Sequence, residues 1–318
     1  MKPISFLGAA LILAASYCNA QSNYPDRPIR LVVPFEPGGT TDVLTRVLTP
    51  SLAKTLGQPI VVENRAGGSA TIGAAHVVKS APDGYTFLVG ASDTVTSKYI
   101  IKGIQYDAET QLEMVSRFAW SPYLILANSS VPANDIPSLS KLAKERKDGL
   151  TYSSAGIGTI PHLAGARFAM NEGIQMLHIP MKGTAPAVNE VISGRVDLVI
   201  VGLASCIEHI KSGRMKAIAV ASDKRLPFFP DAPTIVEAGG KPLTSGSWFA
   251  ILAPAKTPMA IQEKIAAALK VATEDPEVQK TYATLGAIPV QETPAVASKS
   301  YKQEFKDWKV VLDKINLD

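Results

Sequence analysis

Cysteine is all but missing from this 318-residue chain, with Cys18 and Cys206 the only two. One of them falls in an N-terminal leader, so no intramolecular disulfide is expected, and no CxxC pair or zinc-ligand spacing occurs. Histidine is scarce as well. His76, His162, His178 and His209 are the whole set, and no two are spaced as a metal-binding pair beside an acid. A phosphate loop of the form G-x-x-x-x-G-K-S/T is absent, and Gly156-Ile157-Gly158-Thr159-Ile160-Pro161 lacks the third glycine of a dinucleotide fingerprint, so no cofactor and no metal are expected. An excess of one charge is also lacking. Lysine and arginine number 32 against 28 acids, a net +4, and the one short basic cluster, Lys141 to Lys147, reads as a solvated helix face, which leaves no nucleic-acid partner. Beyond the leader no apolar run approaches the roughly 20 residues that a membrane-spanning helix needs.

What is present begins with that leader. Lys2 precedes an apolar stretch from Ile4 to Ala15, and Cys18-Asn19-Ala20 offers small residues before a cut, the pattern of a secretory signal over residues 1–20 cleaved after Ala20. Cleavage removes Lys2 alone, so the charge falls from +4 to +3 over 318 − 20 = 298 residues. Cys18 invites a lipoprotein reading, but Tyr17 before it is a poor match to the small residue that lipoprotein processing prefers. The expected location is the periplasm.

Short β-branched runs then alternate with helical patterns, which predicts an α/β fold of parallel strands and crossover helices. The expected strands are Ile29 to Phe35, Ile60 to Glu63, Thr86 to Gly90, Thr151 to Ser153, Asp197 to Val201 and Ala217 to Ala221. Helices are expected over Thr41 to Leu56, Thr71 to Ser80, Ser138 to Lys147, Pro161 to Asn171, Ala185 to Ser193 and Ser205 to Ser212, with three more at Pro258 to Thr273, Pro276 to Leu285 and Pro294 to Leu312. Gly57 stands where a left-handed cap ends the first helix, and Pro50 is expected to kink it. The pattern breaks near Trp120 to Pro122 and near Leu243 to Trp248. Two crossings there divide the mature chain into a first domain of residues 21–122 and 246–318 and a second of residues 123–245, joined by a two-stranded hinge.

Two glycine-rich loops carry the chemistry. Pro34-Phe35-Glu36-Pro37-Gly38-Gly39-Thr40-Thr41-Asp42 leads from a strand into a helix; such a loop holds an anion on unpaired helix amides at the positive end of the macrodipole, or merely turns and caps the chain. The stretch Tyr152 to His162, with Ser154, Ala155, Gly156, Gly158 and Thr159 before a proline-started helix, repeats the design in the other domain. Both loops leave the carboxyl ends of strands, where open α/β sheets bind ligands. A third, Ser92-Asp93-Thr94, adds hydroxyls at the same edge or serves as a helix cap. A bulky side chain at Gly38 or Gly158 is expected to abolish binding.

These residues resemble a known family, the periplasmic solute receptors of tripartite tricarboxylate transporters, or Bug family. The likeness runs from Tyr24 to the end through Tyr24-Pro25, Pro28-Ile29, Pro37-Gly38-Gly39 with Asp42, Leu56 to Pro59 before Val61 to Arg65, and Ala81 to Thr86. It continues with Tyr152 to Gly156, Gly158-Thr159, His162-Leu163, Lys182-Gly183 with Ala185-Pro186-Ala187, and Pro233-Thr234 with Glu237 to Gly239. The resemblance implies a two-domain receptor, each domain a mostly parallel sheet flanked by helices. It captures a small organic carboxylate between Phe35 to Thr41 and Ser154 to Thr159, acts as a monomer, and presents its ligand to inner-membrane transporter subunits. The chain departs from the family pattern at Glu36, usually a small residue, Met181, usually tyrosine, and Val201, usually aspartate, and Ala66 to Ala70 replaces a Pro-Gly-Ala-Gly-Gly run. Met181 and Val201 make the second-domain wall more apolar. With Phe118 and Trp120 near the hinge, they favour an acid with an apolar or aromatic body over citrate or an amino acid.

The same ligand capture also suits a sensor-kinase receptor. An exported hydrolase using Cys206 and His209, three apart on one helix face, is the other rival, although a catalytic cysteine needs a third orienting group and a lowered pKa. A cytosolic regulator is disfavoured by the leader. The expectation is a binding protein, not an enzyme.

Overall fold

The computed structural model describes residues 24–312, so the leader with Cys18 lies outside the described residues. In chain order the elements are β1 (Ile29–Val33), α1 (Thr40–Leu56), β2 (Ile60–Asn64), α2 (Thr71–Val78), β3 (Thr86–Ala91), α3 (Asp93–Ile100), α4 (Ala108–Gln111) and β4 (Leu112–Asn128). There follow α5 (Ile136–Glu145), β5 (Leu150–Ser154), α6 (Ile160–Glu172), β6 (Met176–Pro180), α7 (Thr184–Ile192), β7 (Leu198–Gly202), a 3₁₀ turn (Leu203–Ser205), α8 (Ile207–Lys211) and β8 (Met215–Val220). The chain closes with β9 (Gly246–Pro254), α9 (Met259–Glu274), α10 (Pro276–Thr284), β10 (Ile288–Pro289) and α11 (Pro294–Leu312).

The strands form one continuous sheet in the order β2-β1-β3-β9-β4-β7-β5-β6, with β8 and β10 also paired to β4. The outer strands run parallel, β2-β1-β3 at one end and β7-β5-β6 at the other. The inner pairings, β3-β9, β9-β4, β4-β7 and β4-β8, are antiparallel. The sheet is therefore mixed, where a mostly parallel one was expected, because the chain crosses between its halves on extended strands rather than through helices.

The strand β4 carries the first crossing. From Leu112 to Pro122 it pairs with β9; from Tyr123 onward it pairs with β7 and, from Leu124, with β8. Pro122 reads as a break in the sequence, yet it sits where partners change, a place in a sheet that tolerates a missing N–H. The return crossing lies beside it: Tyr123 N–H donates to Ser245 O at 2.9 Å, and Ser245 N–H to Ala221 O at 3.0 Å. Gly246 is needed there. A Cβ on it would lie 2.6 Å from Ser121 O, inside contact distance of backbone.

Each half of the sheet is buried on both faces. Leu31, Val33, Phe87 and Phe249 pack one face of the first half under α1 and α9, while Leu88, Met114, Trp248, Tyr301 and Phe305 pack the other under α11. Ile125, Tyr152, Leu163 and Phe168 fill one face of the second half, and Leu124, Val188, Val199 and Cys206 the other. Such continuous apolar runs are what strands covered on both sides require. Gly57 ends α1 at φ +69°, its N–H on Ala53 O, and the helix runs unbroken through Pro50.

Candidate functional site

Strand ends from both halves, with the loops after β1 and β5, meet at the seam. The β1 end feeds the loop into α1, and the cap, Gly39, has no side chain to offer. Val43 N–H to Gly39 O is the first intrahelical bond, so the amides of Thr40, Thr41 and Asp42 have no partner within the helix. Asp42, 3 % exposed, folds the loop back: it accepts from Gly38 N–H at 3.0 Å, Arg46 Nε at 3.0 Å and Asn64 Nδ2 at 2.9 Å. Asn64 also donates to Phe35 O at 3.1 Å. Desolvation raises the Asp42 pKa, but the bonds from Arg46, Gly38 and Asn64 outweigh it and leave the carboxyl below its ordinary value.

The second loop is held by two histidines, His162 buried and His178 half-buried. His162 and His178 stack with centroids 4.0 Å apart and planes 17° apart. Gly158 N–H donates to His162 Nδ1 at 3.1 Å, and Ser154 Oγ lies 2.6 Å from His178 Nε2. Thr159 Oγ1 donates to Gly156 O at 2.7 Å. Desolvation pulls the pKa of His162 down to about 4 and that of His178 to about 3, the latter aided by repulsion from His162, so both rings are neutral.

The cradle at the start of α6 is already occupied. Ile160 N–H donates to Asp93 Oδ1 across the seam at 2.7 Å, and Pro161 has no N–H to give. Asp93 opens α3 in the first half, and burial pushes its pKa up to about 6 against the opposing effect of that bond. Two more bonds cross the seam, Thr96 Oγ1 to Gly158 O at 2.8 Å and Thr40 Oγ1 with Ser205 Oγ at 2.9 Å. The halves are shut.

Two adjoining cavities remain between them, both touching Phe35 and Ala155. The outer one, about 340 Å³, is bounded by Pro34, the loop Gly67 to Ala70 and Ile101 on one side and by Gly156, Ile157 and Pro180 to Lys182 on the other. The inner one, about 20 Å³, is lined by Thr40, Thr41, Asp93, Tyr123, Thr184, Val201 and Ser247 among others. Thr184 begins α7, whose cap Gly183 again supplies no side-chain bond. A Cβ on Gly39 would lie 3.9 Å from Thr184 Cβ, so the starts of α1 and α7 lie against each other, and Thr40, Thr41 and Thr184 from the two line this chamber together.

Of the sixteen residues expected at the site, the structure brings Phe35, Thr40, Thr41, Asp93, Ala155, Gly156, Met181 and Val201 to the cavity walls. Glu36 and Gly38 are exposed at the rim, with Gly39 behind them. Ser92 ties β3 to β9, accepting from Trp248 N–H on Oγ and donating its own N–H to Ser247 Oγ. Ser154, Gly158, Thr159 and His162 shape the second loop from behind and line neither cavity. Phe118 and Trp120 do not reach the cavities either: Phe118 is wholly buried in the core and Trp120 packs against the core under α11. The loop Gly67 to Ala70, absent from the expected site, forms a wall of it. All four residues have positive φ, from +51° to +122°, and two are not glycine, Ser69 and Ala70. Its departure from the family run was the signal that marked it.

Cys206 is fully buried among Leu124, Val199 and Leu203, away from both cavities. Burial pushes its thiol well up, the reverse of what a nucleophile needs. Among the described residues no three metal-ligating side chains cluster, and no helix is long and apolar enough to cross a membrane.

Two α/β halves hinged on adjacent strands, with a ligand-sized cleft at the seam, make the architecture of a two-domain periplasmic binding protein. The chain belongs to the tripartite tricarboxylate transporter family of receptors, whose sequence pattern matches residues 44–317. It is 34 % identical to the protein BugT of Bordetella pertussis over 287 residues, 90 % of this chain and 88 % of that one. Among solved structures, R. palustris Rpa4515 with adipate matches with a TM-score of 0.88 at 31 % identity, covering 92 % of this chain and 98 % of that one. MatC from Rhodopseudomonas palustris with bound malate matches with a TM-score of 0.84 at 30 % identity, covering 91 % and 99 %.

Proposed function

We propose that this protein is an exported receptor that closes residues 21–122 with 246–318 and residues 123–245, as two domains, over a small organic carboxylate, and delivers it to the membrane subunits of a tripartite tricarboxylate-type transporter. The observation that carries this reading is the adjoining pair of helix N-termini, α1 from one half and α7 from the other, at a chamber that both halves enclose. Open amides at two macrodipole ends stabilise a carboxylate without an arginine. Only a shut form places both around one anion, so binding shifts the open–closed balance by the ligand's differential affinity. The relatives solved with adipate and malate support the carboxylate class, and the buried Cys206 supports binding without turnover. The leader supports export, with Gln21 as the first mature residue.

A thermal-shift screen of the mature protein with mono-, di-, tri- and amino-carboxylates tests the reading. A ligand at 100 times its Kd adds about 2.7 kcal/mol of stability. Silence across the whole panel would sink it. Delivery is tested by ligand uptake into proteoliposomes holding the membrane subunits, which should depend on added receptor.

A further inference from the structure

The inner chamber presents an anion site and an acid side by side. The anion site is the pair of helix starts with Thr40, Thr41 and Thr184. The acid is Asp93, 6 % exposed, whose Oδ1 is taken by the Ile160 amide while Oδ2 receives no hydrogen bond from the described residues. Among the described residues no lysine, arginine or histidine lines this chamber, and the one cationic side chain on either cavity wall is Lys182, exposed at the outer one. Two carboxylates close together in one buried site resist ionising together, so a second ligand carboxylate beside Asp93 is penalised. An ammonium in the same place instead meets an open acceptor and forms a charge-assisted bond. The adjoining outer cavity is walled by Phe35, Ile101, Ile157 and Met181, a bed for an apolar group.

We infer that the ligand is a zwitterionic amino acid with an apolar side chain, its carboxylate on the N-termini of α1 and α7, its ammonium on Asp93 Oδ2 and its side chain in the outer cavity. This rests on the carboxylate-receptor reading and narrows it; it keeps the apolar body expected from the sequence and replaces the preference against an amino acid. A chamber of about 20 Å³ holds about one water, so the ligand's carboxylate and ammonium are seated only when the halves part from this shut arrangement and close again around them. Asp93 is a specificity-determining residue here. Were its only duty to grip Ile160 and shut the halves, a change there would alter the affinity of every ligand by the same factor.

The test is calorimetric titration of the mature protein with L-leucine, L-isoleucine, L-methionine and L-phenylalanine against 4-methylpentanoate and 3-phenylpropanoate, their amine-free counterparts, and against adipate and malate. At least one of the four amino acids should bind, and about tenfold or more tighter than the amine-free acids, the usual worth of a hydrogen bond to a charge. In Asp93→Asn, which keeps an acceptor for Ile160, that ratio should fall to about threefold or less. Circular dichroism and the variant's melting curve confirm that it is folded. Equal binding of the amine-free acids, or an unchanged ratio in the variant, overturns the inference. Binding of adipate or malate with no amino acid bound overturns it and leaves the carboxylate reading standing; binding of nothing overturns both.

Discussion

The Asp93 carboxylate accepts the Ile160 amide at 2.7 Å, joining the first turn of α3 in one half to the first turn of α6 in the other. The second loop was expected to offer its helix start to a ligand anion. An internal anion fills it instead, and the open helix starts are those of α1 and α7. The same bond makes the shut form sensitive to the charge on one buried acid.

That sensitivity has a sign. Burial lifts the Asp93 pKa from 3.8 to about 6, so the fold holds the proton more tightly than the unfolded chain does. The associated stability is complete below about pH 3.8 and is lost as pH rises through about 6. Asp93→Asn escapes the loss and retains an acceptor for Ile160. At pH 7 it should be the more stable protein by roughly 3 kcal/mol, the worth of lifting the carboxyl from 3.8 to about 6, and near pH 3.5 the two should match. Urea unfolding at both pH values checks this. A variant weaker at pH 7 would mean that the ionised bond to α6 outweighs its desolvation.

The stacked His162 and His178 act in the opposite direction. Their pKa values are depressed by burial to about 4 and about 3, so the unfolded chain takes up protons first. Stability falls as pH drops from about 6.5 through 4 towards 3. In the shut protein neither imidazole should titrate above pH 5 when its carbon-bound ring protons are followed by NMR. A midpoint near 6.5 for either would contradict the buried contacts with Gly158 and Ser154.

Gly158 and Gly38 look equivalent in the sequence, yet the structure separates them. Both have φ near +80°, so alanine at either carries the left-handed backbone penalty of about 1–2 kcal/mol. At Gly38 a Cβ meets nothing within 4 Å, whereas at Gly158 it would lie 2.9 Å from Ile100 Cγ2 in the other half. Gly38→Ala should therefore lower the melting temperature and keep its affinity within about threefold, the wall being intact. Gly158→Val should hold the halves apart and lose about tenfold or more in affinity while each half stays folded, roughly the 1–3 kcal/mol that overpacking costs. Titration of both variants with one ligand decides it.

The strand–loop–helix units were legible because β-branched runs end in glycine or serine turns, as at Val33 and Ser154. Four strands were not, the two-residue β10 and three longer ones. The β4 strand was hidden by Trp120 and Pro122, which look like a linker; β6 is a half-exposed edge whose His178 and Pro180 dilute its pattern; β9 begins Gly246-Ser247-Trp248, which reads as a turn. The site shows the same limit. The loops could be read locally, but the Asp93–Ile160 bond joins residues 67 apart, and only the topology brings them together.

Glu36 puts a negative charge into a loop suited to anions, and its position gives a test of how it acts. The residue is exposed, lines neither cavity, and stands opposite Gly183, where a Cβ would lie 3.8 Å from Glu36 Cβ. Gly183 caps α7 and Gly39 caps α1, so the carboxylate lies at the rim beside the two open helix starts. From there its charge is expected to oppose an incoming carboxylate through solvent. Glu36→Gln should tighten binding by about threefold or less at low salt, and the gain should shrink at 0.5 M salt, where the screening length is only a few ångströms. Titrations at 20 mM and 500 mM salt separate this from direct contact. A loss of about tenfold that persists in high salt would mean that the Glu36 carboxylate accepts a bond from the ligand itself, as an exposed rim charge would not.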